Sequence, residues 1–590
     1  MQKPSFQNPP SLYRPHSFWS LNERLNPQTL CEQIDDMHSA GWGGFYFHSR
    51  GGLITPYMGE EWMACFDAAM KHAKALGMKA WLYDEDTWPS GTASCTIPKL
   101  DPAFRETHIF YAYDKIPHQK EDVLASYVYR AKCEPTGNHR MYGLEEHLPP
   151  VDLVPITPDE AENCPEGYRN VYIYIWRAPA SNSRFGGCSY TDLMNPDATR
   201  AFIRSTHEKY AALFGEEFGG VIPGIFTDDI TIQWDLYGAK RNAMPWTGKL
   251  PEAFLALNGY DILEHLPDLF FDTPEASATR MDYIRVINRL FAENFVGVIA
   301  QWCDEHNLAL TGHLMGNEGG YSDVMYQYYL MQIPATDHLG KNIRNFRRPR
   351  RALSVADQFD KPYTICETSA GGGHDMTMEE QKRLTDFLLV AGARVMVPHV
   401  TQYSMRGSRK YDHPPAFSAR DPYWSEMHWL ADYQGRLAYA LSQGKMDAHV
   451  LLLDNIESKH ISCAPAGRSR QYDALNNALD QVERELLSAH CEFAYGSEEL
   501  LSRFGRVENG ELCLGSGRYS AVIIPPALTL RSSTLSLLKE LKAQGGEVVA
   551  MLRAPALCDG RKNNPYLPFL ATVSLLHYHQ IKDFAAPYAL

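Results

Sequence analysis

The stretch "LNPQTLCEQIDDMHSAGWGGFYFHSR" (Leu25–Arg50), read with "GEEWMACFDAAMKHAKALG" (Gly59–Gly77) and "MKAWLYDED" (Met78–Asp86), decides the fold. Asn26 is a helix N-cap, Pro27 suits the first helical position, and Gly41 lies just past the end. Leu30, Ile34 and Met37 recur on one face. "GGFYFHSR" then reads as a strand. The next helix sets Trp62, Phe66, Ala69, Ala73 and Leu76 on one stripe and stops at Gly77. "MKAWLYDED" is the following strand, so the unit is β-α-β and its acids sit at a strand's C-terminal end.

The same rhythm continues along the chain. Strand candidates lie near Phe45, Trp81, Ser189, Ile225, Thr311, Thr336, Ile365 and Met396. Eight such units predict a (β/α)8 barrel of the α/β class over residues 1–445. A doubly wound sheet is the alternative, and it accounts less well for polar residues at nearly every strand end. Between about 101 and 185 the pieces "THIFYAYDK", "VLASYVYRA" and "NVYIYIWRA" alternate strictly, which predicts a β-rich insertion. After Gly444, "AHVLLLDN", "YSAVIIPPA" and "GGEVVAML" are nearly continuous apolar strands. With helices near Tyr472–Ala489 and Ser533–Ala543 between them, residues 446–590 predict a small doubly wound α/β domain. It carries neither GxGxxG nor a P-loop.

Of the 590 residues, 44% are hydrophobic, 22% charged and 12% aromatic, a composition for packed globular structure. Tyr (33) and Trp (11) supply flat faces with polar handles, suited to stacking on sugars. The net charge of −15 argues against nucleic acid or anionic membrane as partners. No apolar run approaches a membrane span or a signal peptide. The 12 cysteines show no CxxC pair and read as reduced thiols of a cytoplasmic protein. Association with further copies of the chain is left open.

A (β/α)8 barrel places its active site at the C-terminal strand ends. Taken in order, these ends offer His48 and Arg50, then Asp84, Glu85 and Asp86, then Tyr190 and Asp192, then Asp228 and Asp229. His313, Asn317 and Glu318 follow, then Asp337 and His338, Glu367, His399, and finally Tyr403 and Arg406. Acids from at least five strands meet on one rim, and buried carboxylates are costly unless they are paired. Such a rim suits acid–base work on a polyhydroxylated substrate, with one carboxyl giving a proton and another serving as nucleophile or base. Glu367 leaves a buried strand into a glycine-rich turn and is the strongest candidate. Asp229 is its expected partner, Asp228 an orienting neighbour, and Glu318 the competing acid. Asp84, Glu85 and Asp86 are expected to bind sugar hydroxyls beside Trp81 or Trp88, with His48, Arg50, Tyr190, Asp228, His313, Asp337, His338, His399 and Tyr403 completing a carbohydrate site. The basic run "KNIRNFRRPRR" (Lys341–Arg351) reads as a solvated face, or else as a receiver of an acidic sugar.

The motifs "HSRGGL", "WLYDEDTWPSG", "FTDD", "TGHLMG", "IPATDHLG", "CETSAGGG" and "VPHVTQYSMRG", in this order, resemble glycoside hydrolase family 106, the α-L-rhamnosidase-like group, over about residues 15–445. The domain that follows looks like the amidotransferase-like domain of these proteins and of family 42 β-galactosidases. The resemblance implies a glycosidase with a catalytic carboxylate at Glu367, inverting chemistry and calcium dependence, without naming calcium ligands. The chain departs from the pattern where relatives read "FTDEP", since Asp229 stands in place of a glutamate. A non-catalytic carbohydrate-binding protein on the same fold is therefore the second reading. A metal-dependent amidohydrolase is the third, disfavoured by the single histidine in "FYFHSR" and the lack of an acid in "VMVPHV".

Overall fold

The computed structural model describes residues 3–132, 151–181, 187–232, 243–315, 322–343, 345–462 and 469–589. Eight parallel strands close a barrel: β1 (His16–Leu21), β2 (Gly44–Ser49), β3 (Lys79–Asp86), β4 (Gly224–Ile230), β5 (Ala309–Leu314), β6 (Ile333–His338), β7 (Ile365–Thr368) and β8 (Val395–Gln402). The first helix runs Pro27–Ser39. The Asn26 side chain accepts from the N–H groups of Gln28 and Thr29, and Leu30, Ile34 and Met37 are buried. The second runs Glu60–Ala75 with Trp62, Phe66, Ala69 and Ala73 inward. Gly41 and Gly77 follow these helices at φ +78° and +70°, a backbone that glycine adopts without strain.

One strand assignment is corrected. The segment around Ser189 is not a barrel strand; its place is taken by β1, which pairs with β2 (His16 opposite Gly44) and with β8 (Phe18 opposite His399). The error has a physical source. β1 follows a proline-rich lead and alternates His16, Phe18 and Ser20 with Ser17, Trp19 and Leu21, a six-residue pattern only half apolar. The Ser189 segment is as buried as a strand, but its backbone bonds go elsewhere. The Tyr190 carbonyl accepts from Glu106 N–H at 3.0 Å, and Asp192 N–H donates to the Phe104 carbonyl at 2.9 Å. Phe18 stands at the centre of the barrel filling, 4.9 Å from the Phe226 ring and 5.2 Å from Tyr46, with Trp81, Ala335, Ile365 and Val397 around them.

The β-rich insertion is a five-stranded antiparallel sheet in the spatial order Val151–Ile156, Val123–Lys132, Tyr168–Arg177, Thr107–Tyr113, Ala243–Trp246. Its last strand comes from beyond β4, so the sheet reaches further along the chain than the expected 101–185. A disulfide joins Cys95 to Cys188, with Cα atoms 5.7 Å apart. This corrects the reading of every cysteine as a reduced thiol: the partners are 93 residues apart and only the fold brings them together. Disulfides persist in oxidising compartments, so cysteine usage no longer argues for a cytoplasmic protein. Among the described residues no helix is long and apolar enough to cross a membrane.

A second sheet follows, with β9 (Val450–Leu453), β10 (Phe493–Gly496), β11 (Ala521–Ile524), β12 (Glu547–Met551) and β13 (Ser574–Leu576) all parallel in the order β10-β9-β11-β12-β13. This is a doubly wound arrangement whose order reverses between β9 and β11. Three arginines of the basic run are not a solvated face. Arg347, Arg350 and Arg351 lie on helix Arg347–Gln358 and are buried to 2% or less. Arg347 pairs with Asp480 and Glu483, Arg350 with Glu492 at 2.5 Å, and Arg351 with Asp454 at 2.7 Å. Each acid belongs to the second sheet's unit, so the run clasps that unit to the barrel. Arg285 of helix Ala276–Phe291 adds a contact to Glu457 at 3.0 Å.

Arg351 and Asp454 form the most enclosed of these pairs. Removing one member of a buried pair strands the other, at a cost of about 3–5 kcal/mol. Arg351→Ala is therefore expected to lower unfolding stability by that order, seen as a lower denaturant midpoint.

Candidate active site at the barrel mouth

The inward positions at the C-terminal ends of β4, β5 and β7 bring Asp228, His313 and Glu367 together, with side-chain donor atoms all within 4.8 Å of one another. His313 Nε2 lies 2.8 Å from Glu367 Oε2 and 3.3 Å from Asp228 Oδ1. Its other nitrogen, Nδ1, is 3.5 Å from Asp229 Oδ1. Asp229 has φ +49°, which lets two consecutive acids both serve this ring. Asp337 is the register neighbour of Glu367 on β6. Its Oδ1 is buried with no hydrogen-bond partner.

Burial disfavours every charge here. At His313 it is outweighed by the facing Asp229 carboxylate, the hydrogen bond to Glu367 and the Asp228 charge, so the imidazole is held protonated well above its usual range. Burial raises Glu367 to about 7 and Asp228 to about 6, while His313 pulls both down. Asp337, raised by burial and then by the Glu367 charge, goes to about 8. The cluster therefore retains protons at neutral pH alongside one imidazolium.

A second group faces it. Tyr83 donates to Asp228 Oδ2 at 2.6 Å. Arg50 holds Asp412 through two bonds of 2.8 and 2.9 Å and reaches His48 Nε2 at 3.1 Å. Burial, with the Arg50 charge close by, pushes His48 and His399 well below the usual range and keeps both neutral. Arg50 also lies over the Trp88 ring, 4.3 Å from its centroid. Trp88 thus faces the site, whereas Trp81 is fully buried in the barrel and donates to His16.

Five expected binding residues serve the scaffold instead. Glu85 is buried and accepts from the N–H groups of Asp86, Gly91, Thr92, Ala93 and Ser94, and from the Thr92 hydroxyl. Positive φ at Thr87, Gly91, Ala93, Ser94 and Cys95 turns these N–H groups inward. Tyr190 is buried and donates to the Ser90 carbonyl at 2.6 Å. Tyr403 accepts from Asn26 N–H at 3.1 Å, fixing the start of the first helix. His338 points outward toward Phe387, with ring centres 6.3 Å apart. Asp84, also outward, accepts from Ser90 Oγ at 2.5 Å. That hydroxyl in turn accepts from Asp228 N–H at 2.8 Å, so Asp84 acts through Ser90 on the position of Asp228. Asp86 accepts from Ser94 at 2.7 Å and from Ser49 and borders the mouth. Asn317 and Glu318 lie outside the described residues.

Asp412, Tyr83 and Ser90 escaped the sequence reading. Tyr83 shares its strand face with Trp81, so the two-residue period would have found it. Asp412 lies in an irregular loop with no periodic signal. For calcium, six to eight oxygens at about 2.3–2.6 Å are needed. The tightest donor cluster among the described residues has an imidazole at its centre, already bonded to its carboxylates. That donor set does not fit calcium, and the imidazolium supplies the positive charge the acids require.

The family model described as alpha-L-rhamnosidase, Glyco_hydro_106, matches residues 177–567. A curated protein of Formosa agariphila named "Putative beta-glucuronidase" is 22% identical over 92% of this chain and 49% of its own length. The chain thus spans about half the length of the curated relative it matches. Among solved structures, a rhamnosidase from Novosphingobium sp. PP1Y superposes with a TM-score of 0.68 at 13% identity, covering 94% of this chain and 70% of that one. A β-galactosidase from Rahnella sp. R3 superposes with a TM-score of 0.55 at 12% identity, covering 92% and 72%. These superpositions show the shared fold.

The Glu85 acceptor makes a direct prediction. In Glu85→Ala the loop amides lose their acceptor, and each orphaned buried donor costs about 1–3 kcal/mol. Hydrogen exchange is expected to show lost protection at Gly91–Ser94 while the barrel strands stay protected.

Proposed function

The chain belongs to glycoside hydrolase family 106, and on that premise we propose that it hydrolyses a terminal glycosidic bond, with an α-L-rhamnoside as the first substrate to test. Glu367 is the base that activates water, and Asp229 gives the proton to the leaving oxygen. The observation that carries this reading is the imidazole between them. Glu367 contacts Nε2 and Asp229 contacts Nδ1, so the ring holds the two carboxyls apart on its opposite sides. An inverting pair needs a gap of about 6.5–9.5 Å to admit water and the sugar. Asp228 does not suit the second role, because it shares Nε2 with Glu367 and leaves no room between them. His313 stays protonated and screens the acids from one another. Arg50, the neutral His48 and His399, and the Trp88 face supply contacts for sugar hydroxyls and the apolar ring face.

The roles separate by leaving group. Asp229→Asn is expected to slow hydrolysis of a glycoside with a poor leaving group by about 10²–10⁴-fold while sparing a dinitrophenyl glycoside, which needs no proton. Glu367→Gln is expected to slow both by a similar factor. If Asp229→Asn slows the two substrates equally, Asp229 is not the proton donor. A panel of aryl α-L-rhamnosides and β-glucuronides identifies the sugar.

A pH dependence follows from Glu367. A base works only when ionised, and this carboxyl is raised to about 7. The ratio kcat/KM is expected to fall tenfold per pH unit below about pH 7, and a profile flat down to pH 5 would show that Glu367 is not the titrating base.

A further inference from the structure

The doubly wound unit has a cleft of its own, which shares no lining residue with the carboxyl cluster. Its volume is about 590 Å³, and it lies where the loops after β9, β11 and β12 meet the start of helix Ala276–Phe291 of the barrel. Strand order reverses between β9 and β11. Open α/β sheets bind ligands at such a point, outside the carboxyl ends of the strands. Asp454, the residue after β9, is held by Arg351, but the cleft is lined by residues further along these loops and by none of the clasping arginines.

The lining is basic. Arg280, Arg470 and Arg553 border the cleft, against one acid, Asp272, among the described residues. Arg280 is buried and fully engaged: it donates to Asp272 at 3.1 Å and to the carbonyls of Asp268, Leu269 and Phe271. Those two charges therefore balance. Arg470 and Arg553 are exposed, and neither makes an ion pair with a described residue. Two positive charges are left over on one cleft.

The backbone adds donors beside them. Helix Arg470–Ser488 has 19 residues, and its first turn lines the cleft. The Ser469 hydroxyl accepts from Tyr472 N–H at 3.0 Å, and the Ser469 carbonyl accepts from Asp473 N–H at 3.1 Å. The N–H groups of Arg470 and Gln471 meet no acceptor among the described residues. The positive end of the helix dipole thus stands next to two uncompensated guanidinium groups. Planar guanidinium forks and backbone N–H groups together match a tetrahedral oxyanion with several acceptor oxygens. A phosphate monoester carries a charge of about −1.5 to −2 at neutral pH, which matches the two free arginines. The volume exceeds what one phosphate needs and falls within the range of about 300–1,000 Å³ that takes a whole small molecule.

We propose that this cleft binds a small molecule bearing a phosphate monoester. The phosphate lies between Arg470, Arg553 and the first N–H groups of helix Arg470–Ser488, and the remainder of the molecule extends toward Ser277 of the barrel. Occupancy bridges the two units, since Ser277 belongs to one and both arginines to the other. The site involves no chemical step and does not depend on the hydrolase reading.

The test titrates inorganic phosphate into the full chain by calorimetry, at constant ionic strength and at about pH 8, where phosphate is a dianion. A saturable one-to-one heat is expected, and acetate is expected to bind at least about tenfold more weakly, because it brings one charge and two oxygens. Arg470→Ala and Arg553→Ala are each expected to weaken phosphate binding about tenfold or more. Both side chains are exposed, so the fold is untouched, and Arg470→Lys is expected to keep part of the affinity. A heat that does not saturate, acetate binding as tight as phosphate binding, or an unchanged affinity in the double variant Arg470→Ala with Arg553→Ala overturns the site.

Discussion

Several carboxyl groups cannot share a water-poor barrel mouth without a cation among them, and in this chain the cation is His313. Asp228, Asp229 and Glu367 all contact its ring, and Asp337 stands beside Glu367 in register. Remove that charge and the acids either take up protons or repel one another, since isolated buried charges are costly. The rest of the site is arranged around this constraint. Tyr83 ties Asp228 to the neutral, histidine-lined half of the mouth, and Arg50 with Asp412 closes that half as a separate, internally neutral pair. The two halves differ in chemistry. One gathers carboxyls around an imidazolium, the other fixed donors and an aromatic face.

Much of this was legible in the sequence because strand ends in a barrel obey a simple rule. His48, Arg50, Asp228, His313, Asp337, Glu367 and His399 occupy inward positions near the C-terminal ends of their strands, and the two-residue period predicts their convergence. The failures have equally physical causes. Glu85 is inseparable in sequence from Asp84 and Asp86, yet its carboxylate is consumed by five backbone N–H groups. That requires left-handed residues at Thr87, Ala93, Ser94 and Cys95, none of them glycine, so composition gave no warning. Tyr190 looked like a strand-end residue because "GGCSYTDLM" precedes the helix start at Asn195 and Pro196, and the segment is buried, but burial alone does not make a strand. β1 was missed for the converse reason: its inward residues include His16 and Ser20, and only the closed barrel shows that the first of these pairs with Trp81.

The basic run teaches the same lesson about charge. Five arginines within Arg344–Arg351 read as a solvent-facing stripe, because lone arginines seldom lie buried. The partners of Arg347, Arg350 and Arg351, namely Asp454, Asp480, Glu483 and Glu492, are more than a hundred residues away in sequence. No local pattern links them. The consequence is structural: the doubly wound unit is fastened through the helix that follows β6. Asp454 sits just after β9, next to where strand order reverses, the place at which such folds usually bind a ligand. Here Arg351 of the barrel pairs with Asp454 at 2.7 Å, so that residue serves attachment.

The loop after β3 connects these themes. It begins with three acids and spends each differently: Asp84 outward on Ser90, Glu85 on the loop's own backbone, and Asp86 on two serines at the rim. The first fixes Asp228 from behind through the shared Ser90 hydroxyl, the second gives the loop its shape, and the third borders the barrel mouth. Cys95, at the loop's end, is tied to Cys188, the segment that also supplies Tyr190 to the Ser90 carbonyl. The acids among aromatics in "WLYDEDTWPSG" are thus a framework more than a binding surface. They hold Trp88 and Asp228 in fixed relation, so that a flat aromatic face and a carboxyl stand at the barrel mouth already ordered.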